Sequence, residues 1–176
     1  MYRQGTFVSY KKNMKKVGIV MGSASDLPIV QKAIDVLKEF KVPYEVNVYS
    51  AHRTPDEALA YAKNAKENGF GVIIAAAGMA AHLGGVIAAN TTIPVIGIPC
   101  KSESLDGLDA LMSTVQMPPG IPVATVAING SANAAYLALE ILALGNKKLD
   151  EKLVAKRDQM KEKVLASNAD IKNKIK

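Results

Sequence analysis

The chain reads as short β-branched runs separated by longer stretches of helical period. Runs at 17–21, 44–49, 72–77, 94–98 and 123–128 are each bounded by turn residues, and most are apolar at successive positions rather than at alternate ones. That is the pattern of parallel strands buried on both faces. The run at 44–49 interleaves Glu45 and Asn47 with apolar residues, which places it nearer a sheet edge. Between the runs, Val30, Ile34 and Leu37 recur at helical spacing and predict a helix over 27–40. Thr54-Pro55-Asp56-Glu57 reads as a capping box with proline at the first helical position, opening a helix over 55–68. Further helices are predicted over 80–89, 105–115 and 132–144.

Strict alternation of strand and helix predicts a right-handed, doubly wound α/β fold of three αβα layers. With five strands the expected sheet is flavodoxin-like, order 2-1-3-4-5. A length of 176 residues suits one such domain, expected over 17–146. Residues 1–16 have no apolar period and are expected to form a flexible extension, with Met14 a candidate natural start. Residues 147–176 form a C-terminal segment, a helix over 148–166 followed by a basic tail. Leu149, Leu153, Met160 and Val164 make a narrow apolar stripe on that helix, suited either to its own domain or to a neighbouring subunit.

Composition narrows the functional classes. A hydrophobic content of 49% with 22% charged residues excludes a disordered chain. One cysteine, Cys100, excludes a disulfide framework, and two histidines leave little material for a zinc site. The net charge of +6 divides into +5 over 1–16, +5 over 147–176 and −4 between them, so basicity sits at the ends rather than on a face. With three arginines and 5% aromatics, nucleic acid is not an expected partner. The apolar run at 71–81 is too short and too rich in Gly and Ala to span a bilayer, and the first residues do not read as an export leader. The expectation is a cytoplasmic protein without a membrane partner.

In open parallel sheets, ligands bind beyond the carboxyl ends of the strands where the strand order reverses, here between strands 1 and 3. The loops placed there are Gly22-Ser23-Ala24-Ser25-Asp26, Ser50-Ala51-His52-Arg53-Thr54-Pro55 and Ala76-Ala77-Gly78-Met79-Ala80-Ala81-His82-Leu83. Both histidines of the chain, and its only arginine between residues 4 and 156, fall in them. The first loop suits an anion at a helix N-terminus, although Ser25 or Asp26 could equally serve as helix caps. No Gly-x-x-x-x-Gly-Lys-Ser/Thr or Gly-x-Gly-x-x-Gly motif indicates an ATPase or a dinucleotide enzyme. In the second loop Thr54 is explained by capping. Arg53 is placed either to grip a phosphate bidentately or to make a surface ion pair. His52 is a proton carrier near neutral pH or a polar loop residue. In the third loop the small residues Ala77 and Gly78 let backbone amides approach a ligand. There His82 either orients a ligand or bonds a carbonyl, and Met79 reads as packing. Cys100 reads as a small buried hydrophobe.

Taken together, these three ordered motifs resemble the class I N5-carboxyaminoimidazole ribonucleotide mutase family of purine biosynthesis. The likeness covers about residues 17–145, including Val115-Gln116-Met117-Pro118 before Gly120-Ile121-Pro122-Val123. The resemblance implies a flavodoxin-like subunit in a homo-octamer, with a small ribonucleotide substrate bound between subunits. It implies migration of a carboxylate from the exocyclic nitrogen to ring carbon 4 without metal, ATP or biotin, hence no cofactor. By the same resemblance His52 is the acid/base, Ser23 and Asp26 contact substrate, and Ser50 and Arg53 are phosphate ligands. Ser25, Ala77, Gly78, Met79, His82 and Leu83 complete the expected substrate-binding set.

Elementary chemistry agrees with that implication. A carbamate can lose carbon dioxide without a cofactor if the departing nitrogen is protonated, and an Ala/Gly-lined pocket can hold the uncharged gas against the ring. Recarboxylation makes an sp³ carbon whose proton must leave, and one imidazole can serve both transfers. Two departures from the family pattern stand out. Gly84-Gly85 follows Leu83 where the family usually has Pro-Gly, which is expected to loosen the third loop, and Ile128-Asn129-Gly130-Ser131 replaces the usual glycine–lysine stretch. Arginine rather than lysine after His52 favours class I over the class II carboxylase, which uses free carbon dioxide. That carboxylase and a non-enzymatic phospholigand-binding protein of the same fold are the alternatives.

Overall fold

A computed structural model describes residues 14–175, so most of the extension expected over 1–16 lies outside the described residues. Lys16 belongs to the first strand, bonding through its backbone N–H to Gly69.

Five strands form one parallel sheet in the order β2-β1-β3-β4-β5, as the alternation predicts: β1 (Lys16–Met21), β2 (Tyr44–Val48), β3 (Phe70–Gly78), β4 (Val95–Cys100) and β5 (Ala124–Thr125). Val17, Ile19, Val20, Ile73, Ile74 and Ile96 are fully buried because helices cover both faces. On one face lie α1 (Leu27–Phe40), α5 (Ser131–Ala143) and the start of α6 (Lys147–Lys174); on the other lie α2 (Pro55–Asn64) and α3 (Leu83–Ala89). Next to α3, α4 (Leu108–Val115) packs against β4, where Gly97 leaves room that a Cβ would take from the Thr114 methyl.

Several boundaries depart from the periodicity, each for a backbone reason. The predicted start of α4 at 105 moves to Leu108 because Asp106 and Gly107 adopt φ values of 53° and 90°, outside the helical region. The predicted start of α3 at 80 moves to Leu83 because Met79 is left-handed and Ala81 gives its N–H to a side chain on α4. The end of α2 falls at Asn64 rather than 68, because the next amide, Ala65, bonds the Ala62 carbonyl three residues back instead of continuing the α pattern. The run at 123–128 pairs in register only at Ala124 and Thr125 before a turn at Asn129, φ 56°.

Asn146 caps α6 by accepting the Leu149 N–H at 3.2 Å, and the helix runs beyond the expected 166 to Lys174. Leu149 and Leu153 are buried on the chain's own body, where Lys152 Nζ reaches the Phe40 carbonyl and Lys156 pairs with Glu39 at 2.6 Å. Met160 and Val164, the outer half of the predicted stripe, are exposed. No helix among the described residues is long and apolar enough to cross a membrane.

Candidate active site

The carboxyl ends of β1, β2 and β3 open into a cavity of about 670 Å³ lined by residues from all three predicted loops. A larger groove, about 830 Å³, lies toward the amino ends of β4 and β5; it carries Lys63 and Lys66 but neither histidine nor arginine. Strand geometry and side-chain chemistry both favour the first.

In the first loop Ser23 Oγ accepts the Ser25 N–H at 3.3 Å and the Ser25 hydroxyl at 2.8 Å, capping a single 3-10 turn. Ser23 is thus the cap, rather than Ser25 or Asp26. Asp26 stands at the N-terminus of α1 but makes no capping bond, so its carboxylate is not committed to that helix. Burial raises the Asp26 carboxyl above the usual carboxylate range, partly offset by the Ser23 backbone.

The second loop is wound around Ser50. Its Oγ accepts the N–H groups of His52 at 3.3 Å and Arg53 at 3.1 Å, which leaves its own proton free to donate. Thr54 does not cap α2 as its capping box predicts: Oγ1 turns back, accepting the Ser50 N–H at 2.8 Å and donating to the Ser50 carbonyl at 3.3 Å. The loop closure takes the hydroxyl that the helix would otherwise use. Arg53 makes no ion pair among the described residues; its Nη2 donates to the Gly22 carbonyl at 3.2 Å, which ties the second loop to the first. The guanidinium keeps donors for an anion beside the N-terminus of α2.

The third loop brings the two histidines together. His52 Nε2 lies 2.9 Å from His82 Nδ1, with the rings perpendicular and their centroids 5.0 Å apart. His82 therefore bonds an imidazole and not a backbone carbonyl. One proton fits between the two nitrogens, so one ring donates and the other accepts according to their tautomers. Ala77 and Gly78 line the cavity beside them, and Leu83, itself buried in the core, forms part of its floor. Met79 is not packing: it is 63% exposed at the rim with φ 56°, a conformation costing on the order of 1–3 kcal/mol for a residue that is not glycine.

Cys100 is buried, as expected, and its thiol is pushed up to about 12, chiefly by burial and secondarily by Asp26. It is not a nucleophile at neutral pH.

Lys101 and Ser102 also line the cavity, although the motifs do not single them out. They follow β4, and applying the strand-end rule to a fourth strand would have found them. Asn129, in the segment that departs from the family pattern, accepts the Lys101 N–H through Oδ1 at 2.8 Å and so holds this side of the rim.

Sheet order defines a flavodoxin-like α/β protein, with a crevice where the strand order reverses. More narrowly, the chain belongs to the AIR carboxylase family, whose model matches residues 16–163. It is 60% identical over 151 residues to the N5-carboxyaminoimidazole ribonucleotide mutase of Pyrococcus abyssi, covering 86% of this chain and 87% of that one. The enzyme of the same name from Thermotoga maritima is 53% identical over 152 residues, 86% of this chain and 89% of its own. Among solved structures, Treponema denticola PurE superposes with a TM-score of 0.78 at 28% identity, covering 88% of this chain and 96% of that one. Relatives bearing the mutase name do not favour the two alternatives, a carboxylase using free carbon dioxide or a non-enzymatic binder.

Proposed function

We propose that the protein converts N5-carboxyaminoimidazole ribonucleotide to 4-carboxy-5-aminoimidazole ribonucleotide in purine biosynthesis. The observation that carries the reading is the His52–His82 contact at 2.9 Å, set in the cavity beside the small residues Ala77 and Gly78. The 60% identity to a mutase supports the choice of reaction.

In this scheme His52 gives a proton to the exocyclic nitrogen as the N–C bond breaks, and the bonding pair stays on nitrogen. Carbon dioxide is retained against the Ala77–Gly78 wall. Ring carbon 4 then attacks it, forming the C–C bond, and His52 recovers a proton from the sp³ carbon as the ring's double bonds are restored. Protons balance across the two steps, and one imidazole serves as acid and then as base. His82, bonded to His52, orients the ring.

Arg53 and the free Ser50 proton hold the phosphate, remote from the reacting carbon, while Ser23, Ser25 and Asp26 contact the nucleotide across the crevice. Met79, His82 and Leu83 close the opposite side. Binding energy at the phosphate supports orientation at the ring.

We further propose a homo-octamer with sites between subunits. The support is an exposed apolar stripe on and before α4 (Leu105, Leu108, Met112 and Val115), on the element that bonds the third loop. The outer half of α6 offers a second contact surface through Met160 and Val164. A cytoplasmic location fits this metabolic role.

Purified protein mixed with the carbamate substrate, without added bicarbonate, tests the reaction: spectroscopy should show direct conversion to the carbon-linked carboxylate. Turnover only from the decarboxylated ribonucleotide plus bicarbonate would instead support the carboxylase reading. Sedimentation should give eight subunits; a monomer active at full rate would contradict shared sites.

A further inference from the structure

We propose that Ser113, on α4 and outside the cavity lining, is a positioning residue that sets the His52–His82 contact through the backbone of the third loop. The inference rests on the reading of His52 as the acid/base.

Between β3 and α3 the chain runs Met79-Ala80-Ala81-His82. The two alanines carry no hydrogen-bonding side chain, and Met79 sits in the left-handed region at φ 56°. Such a segment needs an external restraint to stay in one conformation. Ser113 supplies it: the Ala81 N–H donates to Ser113 Oγ at 3.0 Å. The serine's own proton points back into its helix, toward the Asp109 carbonyl at 2.9 Å and the Ala110 carbonyl at 3.2 Å, with the Met79 carbonyl at 3.5 Å. Among the described residues, no other side chain bonds this loop's backbone.

The helix that carries Ser113 is itself well anchored. The neighbouring Thr114 is buried, donates to the Ala110 carbonyl at 2.7 Å, and seats its methyl where Gly97 of β4 has no side chain. Ser113 therefore refers the loop to the sheet. His82 follows Ala81 directly, and its N–H closes on the Ala80 carbonyl at 2.9 Å. A shift of the Ala81 amide is thus passed to the His82 ring, and from Nδ1 to His52 Nε2. Displacements near 1 Å at a reacting group can cost about a hundredfold in rate; a loosened loop that samples the correct position part of the time costs less.

The test uses Ser113→Ala and Ser113→Thr in the full chain, with His52→Asn alongside. Ser113→Ala should lower kcat about tenfold with KM within about twofold, and should displace a limb of the kcat–pH profile, because the partner of His52 is no longer held. Ser113→Thr keeps the hydroxyl and should recover most of both. A wild-type kcat and pH profile in folded Ser113→Ala, a loss confined to KM, or equal defects in the two variants would overturn the proposal. If His52→Asn is inactive while Ser113→Ala is normal, only the positioning role falls. An active His52→Asn would overturn the acid/base reading and this inference with it.

Discussion

His52 and His82, thirty residues apart in sequence, face each other with Nε2 and Nδ1 separated by 2.9 Å. Neither neighbouring loop alone could produce that pairing. It arises because β2 and β3 flank β1 in the sheet, so the loops that follow them converge over its carboxyl end.

Replacing His52 with Asn removes the only ring that can both give and recover the migrating proton in the proposed scheme. Turnover should fall by at least ~10²–10⁴-fold, the usual contribution of a general acid–base group. Affinity for the product, measured by calorimetry, should stay within a few-fold of wild type. Wild-type turnover would remove His52 from the chemistry.

Arg53→Ala should raise KM by roughly tenfold or more while lowering kcat less, since the phosphate is remote from the bond being broken. The guanidinium also holds the Gly22 carbonyl, so a second measurement is needed to separate loop support from phosphate binding. Binding of the dephosphorylated nucleoside should be nearly the same in wild type and variant. A variant equally impaired toward both ligands would assign Arg53 to the loop alone.

Asp26 carries a raised carboxyl, and the sign of its effect on stability follows. An acid that binds its proton more tightly when folded favours the folded state at low pH, and that contribution is lost as pH rises through the range between its unfolded and folded values. Asp26→Asn should therefore raise the melting temperature of the ligand-free protein at neutral pH, with the difference shrinking below about pH 4, the ordinary aspartate range. The same variant should bind nucleotide more weakly. A melting temperature lower than wild type at neutral pH would show that the carboxylate has a stabilising partner.

Gly84 is the second residue of α3 and has ordinary negative φ, while a Cβ placed there meets Val123 Cγ1 at 3.6 Å, a normal contact. The Leu83-Gly84 start of α3 parallels Leu27-Pro28 at the start of α1, where proline already occupies that position. Gly84→Pro should stabilise the fold by ~0.4–1 kcal/mol, mainly by restricting the unfolded chain, and should preserve activity. Thermal unfolding with parallel rate measurements checks this; a fall in both would mean that the tighter loop start is not tolerated.

Much of the architecture was legible in the amino-acid pattern. Short continuous apolar runs bounded by turn residues, such as 72–77, suit a strand covered on both faces, and strict alternation with helices leaves parallel connection as the economical topology. The strand-end rule places both histidines and Arg53 at one crevice. What the pattern could not contain was the allocation of individual hydrogen bonds. Thr54 and Glu57 satisfy the capping-box spacing, yet the Thr54 hydroxyl closes the Ser50 loop because that partner is nearer once the strand ends. Met79 reads as apolar packing until a left-handed φ turns it to the rim. Ser113 looks like an ordinary polar residue on a helix; only the packing of α4 beside the third loop brings its Oγ within 3.0 Å of the Ala81 amide. Periodicity records which face of an element is buried, a property that every residue on that face shares. Which donor meets which acceptor depends on tenths of an ångström between elements distant in sequence, and only the packed tertiary structure sets those distances.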